Sequence, residues 1–307
     1  MGIGQIENQR IWGDLQAEDP RTPPSRIVNV SSVPMRSPFR YPGGKTWLVP
    51  IIRKWLRSIP ETPAELIEPF AGGGIIGLTA AFERLANHVT LVEIDKDVAA
   101  VWRVILSSDA TWLANKILAF HPSKETVDTL LQQPPSSLRE HAFTTLVQNR
   151  VNRGGILAPG AGRIKNGDGG KGMASRWYPE TLKNRILEIN AIHNRLEFIQ
   201  GDGMQVLRGN AHRKDVVFFI DPPYTAAGKK AGLRLYRHSN IDHEALFKAA
   251  KNIEGDFLIT YDDTEEIQNL VQTHGFQSVR IPMKSNHHAE MEEILIGRDL
   301  SWITRSC

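Results

Sequence analysis

The chain has 307 residues, 41% of them hydrophobic and 23% charged, which is typical of a soluble globular protein with one large domain or a domain plus an insertion. No apolar run is long enough to span a membrane, and the N-terminus lacks the basic-then-apolar pattern of a signal peptide, so we expect a cytoplasmic protein. The single cysteine, Cys307, excludes an internal disulfide and a cysteine-based zinc site, and the net charge of +3 is compatible with a polyanionic partner.

Residues 1–35 carry four prolines among polar residues and show little periodicity. Such a segment buries little apolar surface, which predicts a poorly ordered N-terminal extension.

A glycine-containing turn precedes the first helix, which we predict at about 44–57. The turn reads Arg40-Tyr41-Pro42-Gly43-Gly44-Lys45. Lys45 at a helix start can hold a carboxylate together with the helical N–H groups, and Tyr41 can lie near a cationic ligand. The alternative is a simple helix-entry turn with a solvated lysine.

A second glycine-rich turn, Glu68-Pro69-Phe70-Ala71-Gly72-Gly73-Gly74, closes a strand predicted at 66–70 and opens a helix. Glu93, in the strand predicted at 89–94, can accept hydrogen bonds from both hydroxyls of a ribose. Together these features also fit a dinucleotide site, so a nicotinamide-dependent dehydrogenase is an alternative. The turn is not Gly-x-Gly-x-x-Gly, however, and Glu68 at its mouth would repel a diphosphate. A ligand with a ribose and no phosphate fits better, and S-adenosylmethionine is such a ligand.

Strand–helix alternation stops between about 107 and 195, which predicts an inserted subdomain. Helical patterns at about 109–120, 123–132 and 136–149 lead into a glycine-dense loop or hairpin, and a helix at about 179–195 returns to the sheet. The loop region is basic and can hold phosphate groups while it enters a groove. Its candidate nucleic-acid contacts are Arg150, Arg153, Arg163, Lys165, Lys171 and Arg176, within a cluster that also holds Lys183 and Arg185.

Further strands are predicted at 196–200, 216–220, 256–261, 278–283 and 292–297, with helices at about 241–252 and 264–273. Asp202 follows the first of these strands and can accept a hydrogen bond from the adenine amine of a cofactor. A second basic cluster at 225–240 adds Lys229, Lys230 and Arg234 as candidate nucleic-acid contacts. Alternation with apolar strands predicts an α/β fold with a doubly wound, mostly parallel seven-stranded sheet.

The most informative motif, Asp221-Pro222-Pro223-Tyr224, follows the apolar run at 216–220, where the strand of an open α/β sheet ends at a ligand crevice. The carboxylate can accept a hydrogen bond from an amino group. The prolines remove two N–H donors and leave carbonyl oxygens to face a donor, and the tyrosine offers a flat aromatic face. Together they suit a planar base with an exocyclic amine, although a strand-terminating turn would contain similar residues.

Four segments in this order resemble the N6-adenine DNA methyltransferases of the DNA adenine methylase (Dam-like) family, with the motif order of the alpha group. They are Phe39 to Lys45, Glu68 to Gly74, Gly201-Asp202 and Asp221 to Tyr224. Weaker resemblances are Gln148-Asn149-Arg150 with Gly154-Gly155, Thr260 to Asp263, and Glu292 to Ile296. The recognition loop at 157–162 departs from the family in offering few base-reading side chains, which leaves the target sequence open.

The resemblance implies a site-specific, adenine-specific DNA methyltransferase, bacterial or phage-encoded, that uses S-adenosylmethionine and no metal and acts on double-stranded DNA. The enzyme would be a monomer or a weak dimer. The cofactor contacts would be Tyr41, Gly43, Gly44, Lys45, Pro69, Phe70, Gly72, Gly74, Glu93, Asp202 and Asp221. The target adenine would leave the duplex and be held by Asp221, Pro222, Pro223 and Tyr224.

The expected domains are an extension at 1–35, a catalytic S-adenosylmethionine-binding domain at 36–106 and 196–307, and a target-recognition insertion at 107–195. Three alternatives stay open. They are an RNA methyltransferase with the same chemistry, methylation of the N4 amine of cytosine, and a nucleotide-binding dehydrogenase or non-catalytic DNA-binding module. Whether the role is restriction protection, evasion of phage defence or regulation is open as well.

Overall fold

The structure is a computed structural model that describes residues 33–41, 43–167, 171–223, 241–284 and 290–303, with the side chains of 282–284 and 290–292 left out. Most of the N-terminal extension therefore lies outside the described residues. Its last part is described, and Val33 is buried in the apolar core.

A seven-stranded sheet organises the chain, in the order β3-β2-β1-β4-β5-β7-β6. Strands β1 to β5 pair in parallel, and β7 runs antiparallel between β5 and β6. The prediction of a mostly parallel seven-stranded sheet is therefore confirmed. The strands are β1 (Glu65–Glu68), β2 (His88–Glu93), β3 (Leu196–Gln200), β4 (Val216–Ile220), β5 (Asp256–Asp262), β6 (Gln277–Lys284) and β7 (Glu290–Gly297).

Alternate residues of the central strands enter two different apolar clusters, because successive side chains of a strand point to opposite faces. Leu66, Val217 and Phe219 pack on one face of the sheet. Phe218 and Ile220 pack on the other face. Both faces are thus covered, as a parallel sheet requires, and the sheet is doubly wound.

Helices cover the two faces in separate groups. The first group, with residues in the first cluster, contains α1 (Val49–Ser58), α2 (Ile75–Glu83), α3 (Lys96–Ile105), α4 (Ala110–Ala119), α5 (Lys124–Gln132), α6 (Leu138–Val151) and α7 (Pro179–Ala191). The second group contains α8 (Gly203–Asn210), α9 (His243–Lys251) and α10 (Glu265–His274).

Helices α4 to α7 stand between α3 and β3, where the sequence predicts an insertion. Their apolar residues, such as Leu113, Phe143 and Ile186, belong to the same cluster as Leu66 of β1. The inserted helices therefore share a continuous core with one face of the sheet. The division into a catalytic and a recognition domain stays a prediction.

Two helices differ from the sequence prediction. Helix α1 begins only at Val49, after a 3₁₀ turn at Thr46–Leu48, and Pro50 occupies its first turn, where the missing N–H costs no intrahelical bond. The sequence analysis missed α8 because it has only eight residues and two glycines. The Asp202 side chain nevertheless caps it by accepting a hydrogen bond from the Met204 N–H at 2.9 Å.

Two helical glycines should respond oppositely to alanine substitution. A Cβ on Gly77 would lie 2.5 Å from Leu91 Cδ2 and 2.7 Å from Glu68 Oε2, whereas a Cβ on Gly209 would meet nothing within 4 Å. We expect Gly77→Ala to lower the free energy of unfolding by about 1–3 kcal/mol through overpacking. The matched control Gly209→Ala should raise it by about 0.5–1 kcal/mol. Urea titration measures both, and a stable Gly77→Ala protein would contradict the packing described for α2.

Candidate active site

The carboxyl end of β4 brings Asp221 next to Thr260. Ile220 of β4 pairs with Ile259 of β5, so Asp221 and Thr260, which follow them, lie side by side at the same edge of the sheet. The Thr260 hydroxyl donates a hydrogen bond to Asp221 Oδ1 at 2.7 Å. Asp221 keeps 21% of its side-chain surface exposed, so its carboxylate is held in place and still reachable.

A buried ammonium joins Asp221 to a second acid. Lys45 Nζ lies 3.1 Å from Asp221 Oδ1 and 3.4 Å from Glu293 Oε2, and it also donates to the Gly43 carbonyl at 3.2 Å. Because β7 is antiparallel to β5, Glu293 near its start lies at the edge where the parallel strands end. The sequence analysis gave Glu293 and Thr260 no role, although both stand in segments that resemble the family.

The glycine-rich turn lies against two aromatic rings. Gly72 and Gly74 have φ angles of 47° and 60°, a region that side-chain-bearing residues rarely adopt. A Cβ on Gly72 would lie 2.6 Å from Tyr41 Cε1, and a Cβ on Gly74 would lie 2.9 Å from Trp102 Cζ2. Trp102 Nε1 also donates to the Gly72 carbonyl at 3.0 Å. Glycine is therefore needed in this turn for its backbone angles and for the close approach of the rings.

Glu93 is buried at the end of β2 and fixes the same turn. Its Oε2 accepts a hydrogen bond from the Gly72 N–H at 3.0 Å, and its Oε1 accepts one from the Asp95 N–H at 2.9 Å. A carboxylate has about four lone-pair positions, and the Ile94 N–H also acts on this one, which leaves acceptor capacity for about one further donor. The Gly201 N–H donates to the Glu93 carbonyl, which brings the exposed Asp202 to the same edge.

Phe70 lies at the start of α8, because a Cβ on Gly203 would be 3.1 Å from Phe70 Cε1 and 2.0 Å from the Pro69 carbonyl oxygen. The predicted cofactor residues thus gather at the ends of β1, β2 and β3. Gly43 and Gly44 directly precede Lys45, and Gly43 has a φ of 71°.

The sequence argument about Glu68 was wrong. Glu68 is 3% exposed and lies beneath the first turn of α2, where Oε2 accepts a hydrogen bond from the Gly77 N–H at 2.9 Å. The Glu68 side chain binds the first turn of the helix and does not stand at the mouth of the glycine-rich turn. It therefore gives no argument against a ligand with a diphosphate.

Pro222 and Pro223 follow Asp221, and Pro222 is buried. Tyr224, and the basic residues Lys229, Lys230 and Arg234, lie outside the described residues. The roles expected for them stay predictions.

Three candidate DNA contacts of the insertion surround one cavity, which opens between the start of α5 and the loop after α6. Arg163 pairs there with Asp128, while Lys165 and Lys171 are exposed. The cavity is lined by Pro122, Ser123, Lys124, Arg163, Ile164, Lys165, Lys171, Gly172 and Met173. Arg153 is exposed outside this cavity and Arg176 is half-buried.

Arg150 lies elsewhere and is only 4% exposed. Its Nη2 donates to the Pro38 carbonyl at 2.6 Å, which gives the side chain a structural contact with the segment before Lys45. Contact of these residues with DNA stays a prediction.

A family model described as D12 class N6 adenine-specific DNA methyltransferase matches residues 41–285. The chain belongs to this family. It is therefore a methyltransferase, and the resemblance noted in the sequence is confirmed. A comparison with curated proteins gave no significant match.

Solved structures give a distant likeness to this methyltransferase. A putative RNA methyltransferase from Pyrococcus horikoshii has 11% identity and a TM-score of 0.40, with 87% of this chain and 92% of that chain covered. An rRNA methyltransferase from Streptomyces viridochromogenes has 12% identity and a TM-score of 0.35, with coverage of 86% and 88%. These scores are too low to bear on the substrate, and the fold assignment comes from the sheet order described above.

The described residues contain neither a cluster of metal ligands nor a membrane-spanning helix. No group of three or more His, Cys, Asp or Glu side chains could hold a metal ion there, and the pair His287-His288 lies outside those residues. None of the helices described is long and apolar enough to cross a membrane.

Burial raises the pKa of three carboxyl groups in and beneath the site. The pKa of Glu68 rises to about 8, mainly because burial disfavours the charged form and also because of the charge of Asp221. Burial likewise raises the pKa of Glu93 to about 7 and that of Glu293 to about 7, the latter although Lys45 opposes the shift. At neutral pH the Glu68 carboxyl therefore holds a proton that it would lose in the unfolded chain.

This difference predicts a loss of stability as the pH rises. The Glu68 carboxyl has a reference pKa of 4.5 and a folded pKa of about 8, so between these values the folded state binds one proton more than the unfolded state. Its contribution to stability is complete below pH 4.5 and is lost as the pH rises towards 8.

We expect Glu68→Gln to flatten the decline of the unfolding free energy between pH 5 and 8, because glutamine can still accept from the Gly77 N–H and needs no proton. Glu61→Gln, at an exposed position, is the control and should keep the wild-type slope. Urea titrations at several pH values give the slopes. Equal slopes for Glu68→Gln and wild type would contradict a protonated Glu68.

Proposed function

We propose that this methyltransferase moves the methyl group of S-adenosylmethionine to the exocyclic N6 amine of an adenine that has left the DNA duplex. The observation that carries the proposal is the Asp221 carboxylate, which Thr260 and Lys45 fix at the edge of the sheet beside the glycine-rich turn. A fixed carboxylate acceptor that follows a strand and precedes two prolines suits an amino group on a planar base.

The residues around the turn fit the proposed cofactor. Gly72 and Gly74 give the turn left-handed backbone angles, and the Tyr41 ring packs against Gly72 as one wall of the proposed cofactor site. Glu93 is an acid at the end of β2 with acceptor capacity for a ribose hydroxyl, and the exposed Asp202 can accept from an adenine amine. When bound, the cofactor would supply an electrophilic methyl group on a sulfonium sulfur.

Asp221 and the Pro222 carbonyl would accept the two hydrogens of the target amine. The nitrogen would gain positive charge as it bonds to the methyl carbon that sulfur releases, and preorganised acceptors would stabilise that charge in the transition state. One of the two hydrogens would then leave as a proton to water. Thr260 occupies Oδ1 of Asp221 and so limits the rotation of the carboxylate. The base would reach these acceptors only after leaving the helical stack, and Tyr224 is the proposed stacking partner.

Lys45 is better suited to hold Asp221 than to hold a cofactor carboxylate. Its ammonium is 3% exposed and lies between Asp221 and Glu293. An ammonium already surrounded by acids has little net attraction for another anion. We therefore infer that Lys45 is a positioning residue, which reduces the repulsion between the two carboxylates and keeps Asp221 ready to accept.

Duplex DNA is the proposed acceptor because the family is adenine-specific and acts on DNA. RNA and the N4 amine of cytosine would fit the same chemistry. Incubation with labelled S-adenosylmethionine and matched DNA and RNA acceptors, followed by analysis of the methylated nucleoside, distinguishes these substrates.

Asp221→Ala should lower the rate of methyl transfer to DNA at least about 10²-fold, because it removes an acceptor that acts on the charge formed in the transition state. The affinity for S-adenosylmethionine, measured by calorimetry, should largely survive. Asp215→Ala is the matched control, since Asp215 is an exposed acid that precedes β4, at the other end of the same strand. Undiminished transfer by Asp221→Ala would refute the site.

Thr260→Val should lower kcat about 10- to 100-fold, as expected for the loss of a hydrogen bond to a charged group. Thr260→Ser keeps the hydroxyl and should restore most of the activity, which separates the hydrogen bond from packing. Single-turnover kinetics with both variants tests this. Equal activity of the valine and serine proteins would show that the contact with Asp221 does not matter for the reaction.

A further inference from the structure

Three arginines gather beside the segment that leads to Tyr41 and Lys45. Arg150 Nη2 donates to the Pro38 carbonyl at 2.6 Å, and Arg185 Nη1 donates to the Ser37 carbonyl at 3.1 Å. These acceptors belong to consecutive residues, so the two guanidinium groups, from α6 and α7, lie side by side on one stretch of backbone. Arg40 follows on the same segment.

Arg150 lies among positive charges. Burial, and then the charges of Arg185 and Arg40, lower the pKa of Arg150 to about 9. Among the described residues, the Tyr178 side chain opposes this shift, and no carboxylate does so. A Glu188 carboxylate acts on Arg185, but burial still lowers the pKa of Arg185.

Arg150 also has an unused donor. Its side chain is 4% exposed, and Nε has no hydrogen-bond partner among the described residues. A buried donor without a partner is rare in folded proteins, and a bound ion is one of the explanations for it. An anion would supply both the missing acceptor and the missing negative charge.

A tyrosine with a strained backbone stands close to this cluster. Tyr178 is 52% exposed and has a φ of 39°, which is unusual for a bulky residue. Strained residues are often found at functional sites, where the fold holds them against their preference. An exposed phenol can donate a hydrogen bond to the same anion.

We propose that Arg40, Arg150 and Arg185 bind one backbone phosphate of the substrate DNA. The proposal rests on the proposed function. A phosphodiester offers a full negative charge and oxygens that match the fork of a guanidinium. Arg185 and Arg40 are half-buried and would touch the phosphate from the solvent side, and Arg150 Nε would donate to it from the buried side.

The proposed phosphate site lies close to the residues of the candidate active site. Asn149 binds the Arg40 backbone through two hydrogen bonds of 2.9 Å, and the Ser37 hydroxyl donates to the Gly73 carbonyl at 2.6 Å. A phosphate bound here would therefore lie on the segment that connects the insertion to the glycine-rich turn. It would hold the DNA backbone close to the nucleotide that enters the site.

The test uses the full chain and a duplex that contains the methylated sequence, once sequencing of methylated DNA has located it. Wild type and Arg185→Gln are each titrated with duplexes that carry one uncharged methylphosphonate linkage, moved along both strands. When the methylphosphonate stands at one linkage near the target adenine, the affinity of wild type for the duplex should fall about tenfold, as expected for the loss of one charge-assisted contact. The affinity of Arg185→Gln should be the same for this duplex as for the unmodified duplex. The salt slope of Arg185→Gln should also be smaller by about one.

Arg40→Gln should show the same insensitivity at the same linkage, which provides a second variant if Arg185→Gln is unstable. Arg57→Gln is the charge control, because Arg57 is exposed near the end of α1, where Trp55 bonds to Asp256 at the start of β5, opposite the site. It should respond to every linkage as wild type does.

The proposal would be overturned if, at every linkage, the methylphosphonate lowered the affinity of wild type and of both variants by the same factor. Inorganic phosphate that raises the melting temperature of wild type but not of Arg185→Gln, without any linkage effect, would identify a site for the free anion and would overturn it too. Failure of wild type to methylate any DNA would instead refute the proposed function, so the two failures are distinguishable.

Discussion

The site depends on one buried ammonium. Lys45 lies between Asp221 and Glu293, which come from β4 and β7, and without a cation these two carboxylates would repel each other in a poorly solvated place. The raised pKa of Glu293 shows that Lys45 does not fully offset the effect of burial and of the neighbouring acids. The arrangement is costly for folding, and its value lies in keeping the Asp221 carboxylate in one position.

The sheet order explains why distant parts of the chain meet at this lysine. Parallel strands β1, β2 and β4 all end at one edge, where Glu93 and Asp221 emerge, and the antiparallel β7 places Glu293 there from the opposite chain direction. A site at the carboxyl ends of the strands is the general expectation for open α/β sheets. Here the same edge holds the residues proposed to bind the cofactor and those proposed to bind the base.

Sequence patterns were sufficient to locate the strands. A strand that is buried on both faces consists almost entirely of apolar residues, as the run at 216–220 does. They also located Glu93 and Asp221, which directly follow or end such runs. They did not reveal that the Glu68 side chain is buried beneath the first turn of α2, since a glutamate beside a glycine-rich turn has the same pattern whether it faces a ligand or a helix. The pairing of Lys45 with Glu293 joins residues 248 positions apart, and no local pattern records such a contact.

Two residues of the insertion contact the backbone of the segment that leads to the candidate active site. Asn149 holds the backbone of Arg40, and Gly155 approaches so closely that a Cβ there would lie 1.9 Å from the Arg40 carbonyl oxygen. A shift of this part of the insertion must therefore move the segment that continues into Tyr41 and Lys45. Tyr41 packs against the glycine-rich turn and Lys45 pairs with Asp221. If DNA binds the insertion as proposed, its binding would therefore affect both parts of the candidate site through a few residues of backbone.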